Sequence, residues 1–161
     1  PWEDAIPVAD VLAIIDAYLG LGITELSLSD TSGMGVPIQV YALCAEVQAK
    51  YPQATWWMHF HNTRGLGLAN MLAALQAGVT RFDTAFGGLG GCPFAPGAAG
   101  NTATEDAVNM FHRMGVATGI NLEAYLGVVS MIRENITAPL PGRFATARSF
   151  QEYCFFDPKE A

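Results

Sequence analysis

The chain has 161 residues, 51% of them hydrophobic and only 14% charged, with 8 basic against 15 acidic residues and a formal net charge of −7. That balance suits one compact domain with a large buried fraction and excludes disorder; with no Lys/Arg cluster to neutralise phosphates, it also argues against a nucleic-acid partner. No apolar run approaches membrane-spanning length and no signal peptide is visible, so no membrane partner is expected, and the odd, widely spaced Cys44, Cys92 and Cys154 read as reduced thiols of a cytosolic protein.

Pro1 to Pro7 reads as a connecting loop. Val8, Val11, Leu12, Ile15, Tyr18 and Leu19 recur at helical spacing and stop at Gly20 and Gly22, which predicts a core-facing helix. Ile23 to Asp30 alternates apolar and polar residues and breaks at Thr31-Ser32-Gly33-Met34-Gly35, a strand with Asp30 at its C-terminal end. Pro37 opens a second helix that runs to about Lys50 and is closed by Tyr51-Pro52. Thr55-Trp56-Trp57-Met58-His59-Phe60-His61 is a strand running into the turn Asn62-Thr63-Arg64-Gly65, and Leu66 to Ala77 is a third helix, ended by Gly78 and carrying Asn70 on an Ala/Leu-rich body. Thr80 to Ala85 is a third strand, with Asp83 either hydrogen-bonded inside a barrel or exposed. After a glycine-dense loop, Thr102-Ala103-Thr104-Glu105 has the form of a capping box opening a helix to about Met114, and Leu122 to about Glu134 is the last helix. Residues 1–136 thus form the repeating unit and 137–161 a tail.

Short strands alternating with helices of ten to fifteen residues signal parallel βα units, an α/β fold whose functional groups gather at the carboxyl ends of the strands. Three strands also fit a small open sheet, without changing where the site falls. Asp30, His59, His61 and the loop bearing Cys92 all lie at such ends. Strand alternation puts His59 and His61 on one side, where two imidazoles can reach one ion, although such a pair can equally be merely hydrogen-bonded. The loop Gly87-Gly88-Leu89-Gly90-Gly91-Cys92-Pro93, continuing through Gly97 and Gly100 to Asn101, turns tightly or approaches a ligand closely and delivers one thiol and one amide. A lone Cys is more often a small buried hydrophobe than a reactive group, and Cys44 and Cys154 are assigned to packing. Trp2, Trp56 and Trp57 read as core or interface fillers, His112 as a solvated helix-end residue, and Asn70 and Asp83 as supports around the site. Arg64, Arg81 and Arg113 are candidates to meet an anionic group, Arg64 foremost because it adjoins the HxH pair.

The segments LSLSDTSGMG, HFHNTRGLGLAN and GGLGGCPFAPGAAGNTATED resemble the C-terminal part of 3-hydroxy-3-methylglutaryl-CoA lyase, within the metal-dependent lyase and Claisen-condensing barrel superfamily. The match runs from about Pro1 to Glu134; the GLGGCP-to-GN segment is its specific part, while the HxH pattern is shared with isopropylmalate- and homocitrate-type synthases. The resemblance implies the C-terminal portion of a (β/α)8 TIM barrel, incomplete as a barrel with about three parallel strands. It implies a divalent cofactor, Mg²⁺ or Mn²⁺ with Zn²⁺ possible by ligand preference, held by His59, His61 and Asn101. It further implies Cys92, His59 and Asp30 in catalysis, with Arg64, Gly90 and Gly91 against an acyl-CoA substrate. The reaction implied is loss of a tertiary hydroxyl proton and C2–C3 cleavage to acetoacetate and the acetyl-CoA enolate. A related aldolase or Claisen-condensing enzyme and a non-catalytic assembly module are the alternatives. A complete member of the family begins with a strand ending in Arg-Asp, whose Asp is a ligand, and carries a further Glu on the next strand. Neither is in this sequence, which opens at Pro1. The expectation is a fragment lacking the N-terminal half, inactive alone, or a chain completed as a homo-oligomer such as a dimer.

Overall fold

The computed structural model describes residues 6–91 and 100–147. Helix α1 (Val8–Gly20) leads into β1 (Glu25–Asp30), α2 (Pro37–Lys50), β2 (Thr55–Phe60), α3 (Gly67–Gln76) and β3 (Arg81–Asp83). A 3-10 turn at Phe86–Gly88 precedes α4 (Thr104–Arg113), α5 (Leu122–Arg133) and a second 3-10 turn at Phe144–Thr146. The strands form one parallel sheet in the order β1-β2-β3, with Ser29, His59 and Asp83 in register across it.

The alternation of β2 decides how the layers stack. Trp56, Met58 and Phe60 are buried on the face covered by helices, and burying a side chain of that size contributes about 1.5–3 kcal/mol. Val40, Cys44 and Val47 recur along one side of α2, while Met71, Ala73 and Ala74 meet them from α3, and Phe111 closes the core from α4. Burial pushes the Cys44 thiol up to about 11, and its Sγ lies 3.8 Å from Met58 Sδ, so this thiol is a packing group. The opposite face of the sheet carries Ser27, Ser29, Thr55, Trp57, His59, Arg81 and Asp83, by the same period of two.

Three details differ from the periodicity reading. Val8 and Tyr18 of α1 are 43% and 46% exposed, because this helix packs through Val11, Leu12, Ile15 and Leu19 only. Strand β3 is shorter than Thr80–Ala85: it pairs with β2 alone, and Ala85 instead bridges Ala103. The capping box at α4 does not close. Ala103 is the N-cap residue, no side chain caps the helix, Thr102 Oγ1 donates to the Phe60 carbonyl at 2.8 Å, and Glu105 turns inward. Glu105 satisfies the Gly87 amide and Thr102 adds a second hydrogen bond to the Phe60 carbonyl, and these inward contacts replace a local cap. The cap that does form is Asn121, whose Oδ1 accepts the Ala124 amide and opens α5.

Candidate functional site

The polar face of the sheet ends in a rim made by three loops. After β1, Asp30 accepts the Met34 and Gly35 amides, each at 3.0 Å, one on either carboxylate oxygen, and so shapes the turn that follows it. Asn70, fully buried in α3, donates to the Gly35 carbonyl at 2.9 Å and ties that turn to the helix behind it. Arg64, on the loop after β2, donates to the carbonyls of Ser32 at 3.0 Å and Gly33 at 3.4 Å, so the first two loops are joined through its guanidinium. Arg81, by contrast, lies over the Trp57 ring, whose Nε1 donates to Glu25. Trp56 is buried in the core, and His112 meets Thr118 at the surface; Trp2 lies outside the described residues.

The histidines stand on the same side of β2 and its extension, with ring centroids 5.0 Å apart and edge toward face. His59 Nδ1 lies 2.5 Å from Asp83 Oδ1, directly across the pair of strands. His61 is one residue past the end of β2; its amide donates to the Asp30 carbonyl, and its ring is buried with Nδ1 finding no hydrogen-bond partner among the described residues. Burial lowers the His61 pKa, as does the neighbouring His59, against an opposing pull from Asp30. A buried, neutral imidazole is the form that offers a lone pair to a cation.

Asn101 reaches the same place by a backbone route. The chain returns beside β2, so that His61 and Asn101 form an antiparallel bridge, flanked by Asn62 N to Gly100 O at 3.1 Å and Thr102 N to Phe60 O at 3.2 Å. Gly100 makes this possible. Its φ is +66°, and a Cβ there would stand 2.6 Å from the carbonyl oxygens of both Gly88 and Gly90. Asn101 Nδ2 donates to Leu89 O at 2.9 Å, fixing which way the amide faces. Gly90 and Gly91 are exposed on the outgoing limb; Cys92 lies outside the described residues.

Two acidic residues of α4 belong to this region in a way their spacing concealed. Glu105 is fully buried and accepts the Gly87 amide at 3.1 Å through Oε2, while Oε1 has no hydrogen-bond partner among the described residues. Burial raises its pKa, only partly offset by the Gly87 amide and by Arg133. Asp106 accepts the amides of Arg143 at 3.0 Å and Phe144 at 2.6 Å, drawing residues 140–147 against the glycine turn, where Gly142 N donates to Gly87 O. The one sequence signal for either was position: Glu105 sits three residues before Val108 on the buried side of the helix. Between the β2 loop and this returning segment is a cavity of about 260 Å³ lined by Asn62, Thr63, Asn101, Asp106 and Arg143 among others. A larger one, about 370 Å³, opens on the helix side of β3 among Met71, Phe82 and Phe111, across the sheet from the histidines.

Among the described residues no group of three or more His, Cys, Asp or Glu side chains could hold a metal ion. The described donors are two imidazoles and one amide, and they suit a divalent ion on one observation above all: the buried His61 Nδ1 has no hydrogen-bond partner among the described residues.

Parallel βα units with polar groups collected at the carboxyl ends of the strands define a barrel-type α/β protein. The family model described as HMGL-like matches residues 2–132, and the chain belongs to that family. It is 46% identical over 143 residues to hydroxymethylglutaryl-CoA lyase YngG of Bacillus subtilis, covering 89% of this chain and 48% of that one. It is 44% identical over 141 residues to (R)-citramalyl-CoA lyase of Chloroflexus aurantiacus, covering 88% and 44% respectively. The structure of an HMG-CoA lyase from Acinetobacter baumannii in complex with coenzyme A and 3-methylmalate matches with a TM-score of 0.87 and 44% identity, over 93% of this chain and 50% of that one. The chain therefore spans about half the length of the relatives it matches, and its three strands and helices are part of a lyase TIM barrel.

Proposed function

We propose that the complete protein is a divalent-metal-dependent carbon-carbon lyase that cleaves 3-hydroxy-3-methylglutaryl-CoA to acetoacetate and acetyl-CoA, and that the 161 residues alone are inactive. The observation that carries this reading is the seating of Asn101 beside His61 by a backbone bridge, at the strand ends and next to the glycine turn that leads to Cys92. His59, His61 and Asn101 would hold the ion. Bound there, a divalent cation acts as a Lewis acid, acidifying an alcohol and stabilising oxyanion charge.

The remaining work falls to side chains. The tertiary hydroxyl gives up its proton, the C2–C3 electron pair passes to the thioester as an enolate, and a proton returns to C2. Cys92 is the proton donor in this reading. His59 and Asp30 are already engaged, by Asp83 and by two backbone amides. Those contacts orient both side chains, and in this reading His59 and Asp30 remain, with Cys92, the groups that handle the protons. The polar cavity beside Asn101 suits a polar part of the substrate, and in this reading Arg64, Gly90 and Gly91 also contact it.

The likeness to (R)-citramalyl-CoA lyase supports a second reading, the same bond cleavage on another branched 3-hydroxyacyl-CoA. Purified complete protein, assayed with both thioesters after chelation and after return of Mn²⁺ or Mg²⁺, decides between them. The first reading expects metal-restored release of acetoacetate at the higher kcat/KM, and a loss of roughly 100-fold or more in kcat for Cys92→Ser. Faster turnover of citramalyl-CoA establishes the second reading, and turnover indifferent to chelation sinks both.

A further inference from the structure

We propose that Asp83 is a positioning residue for His59: its carboxylate accepts the Nδ1 proton of the imidazole, which fixes the tautomer and the ring plane and presents the Nε2 lone pair toward the ion. The proposal rests on the metal-binding reading above and adds to it a residue that reading does not use.

The geometry comes from strand register. His59 and Asp83 are directly paired residues of adjacent parallel strands on the same face of the sheet, so their side chains start as neighbours, and the Nδ1 to Oδ1 separation is 2.5 Å. An imidazole that donates from Nδ1 has its remaining lone pair on Nε2. Histidine ligands are commonly held this way, with a carboxylate on the far nitrogen setting orientation and raising basicity. The asymmetry within the pair of histidines is informative. His61 has no hydrogen-bond partner at Nδ1 among the described residues and is oriented by burial and by its backbone bridge to Asn101. His59, whose side chain is 24% exposed, lacks that enclosure and takes its orientation from Asp83. The His59 and Asp83 bond also pins β2 to β3 at their carboxyl ends, where the ladder between them stops. Asp83 is thereby separated in function from Asp30, whose two oxygens are turned to backbone amides.

The test uses the complete, metal-free protein and Mn²⁺ as the probe, with affinity read by calorimetry and the imidazole tautomer by long-range ¹⁵N–¹H spectra at pH 8. Wild type is expected to show His59 protonated at Nδ1 only. Asp83→Ala should scramble that tautomer and weaken Mn²⁺ binding by about 10–100-fold. Asp83→Asn keeps the shape but loses the charge, and its amide can donate to Nδ1 as well as accept from it, so it should give a mixed tautomer and weaker Mn²⁺ binding than wild type; it is the informative variant if Asp83→Ala fails to fold. Wild type that binds Mn²⁺, with His61→Ala abolishing it and both Asp83 variants binding as wild type, overturns the positioning role while leaving the metal reading intact. So does an imidazole already protonated on Nε2 in wild type. Wild type that binds no Mn²⁺ removes the metal reading and this proposal with it.

Discussion

Glu105 is the residue whose environment departs furthest from what its neighbours in sequence suggest. Its carboxyl is fully buried, one oxygen accepts the amide of Gly87, and the other has no partner among the described residues, so the neutral acid is favoured in the fold. A carboxyl raised in the folded state contributes stability that is present below its ordinary pKa and is lost as pH rises through the raised value. Glu105→Gln keeps an acceptor for Gly87 without that titration, so its stability relative to wild type should climb as pH increases from about 4 toward 7, in urea titrations of the complete protein. Glu105→Ala leaves the amide buried and unpaired and should lose about 1–3 kcal/mol throughout. A pH-independent gap between Gln and wild type would show that the carboxyl ionises as freely in the fold as outside it. Such a role was not legible beforehand, because Thr102-x-x-Glu105 is equally the spelling of a capping box. The choice between the two was made by an amide eighteen residues away in the fold's interior that no local pattern displays. His59 and His61 were legible because a period of two is a property of any strand, whereas the Asp83 contact required the register between strands.

At the scale of elements, helices and strands followed from apolar spacing and from glycine and proline punctuation, and their order stands as the periodicity gives it. What spacing cannot supply is the return of the chain after the glycine turn, since it depends on backbone shape. Gly100 holds that return at a positive φ against two carbonyl oxygens. Gly100→Ala should therefore cost about 1–3 kcal/mol in backbone strain before its steric clash is counted, and should weaken Mn²⁺ binding by displacing Asn101. Unchanged stability and affinity would mean that the return does not set the site. The same helix turn fastens residues 140–147 through Asp106. Asp106→Ala should release that segment, seen as faster amide exchange at Arg143 and Phe144 with the exchange of β2 unaltered; equal protection in both proteins would count against the clamp. Composition marked the stretch after Thr137 as a tail, because a short run held by side-chain acceptors carries no periodicity of its own.

The described residues form a sheet of three parallel strands, helix-covered on one face, with large apolar groups in the open: Leu21 and Ile38 are each 78% exposed and Ile14 58%. Surfaces of this kind, together with strands that end a sheet, favour association. Prepared alone, the 161 residues should self-associate and bind more of a hydrophobic dye than the complete protein does; a monomeric, dye-silent isolated chain would refute this. No helix among the described residues is long and apolar enough to cross a membrane. What decides the account is whether two imidazoles and an amide on this half of a barrel hold one divalent ion. Mn²⁺ binding to the complete protein, followed by electron paramagnetic resonance in wild type and in His61→Ala and Asn101→Ala, measures it directly. One bound Mn²⁺ per chain in wild type, weakened at least tenfold in each variant, is the expected result; a bound ion indifferent to both substitutions would contradict the assignment of the site to these residues.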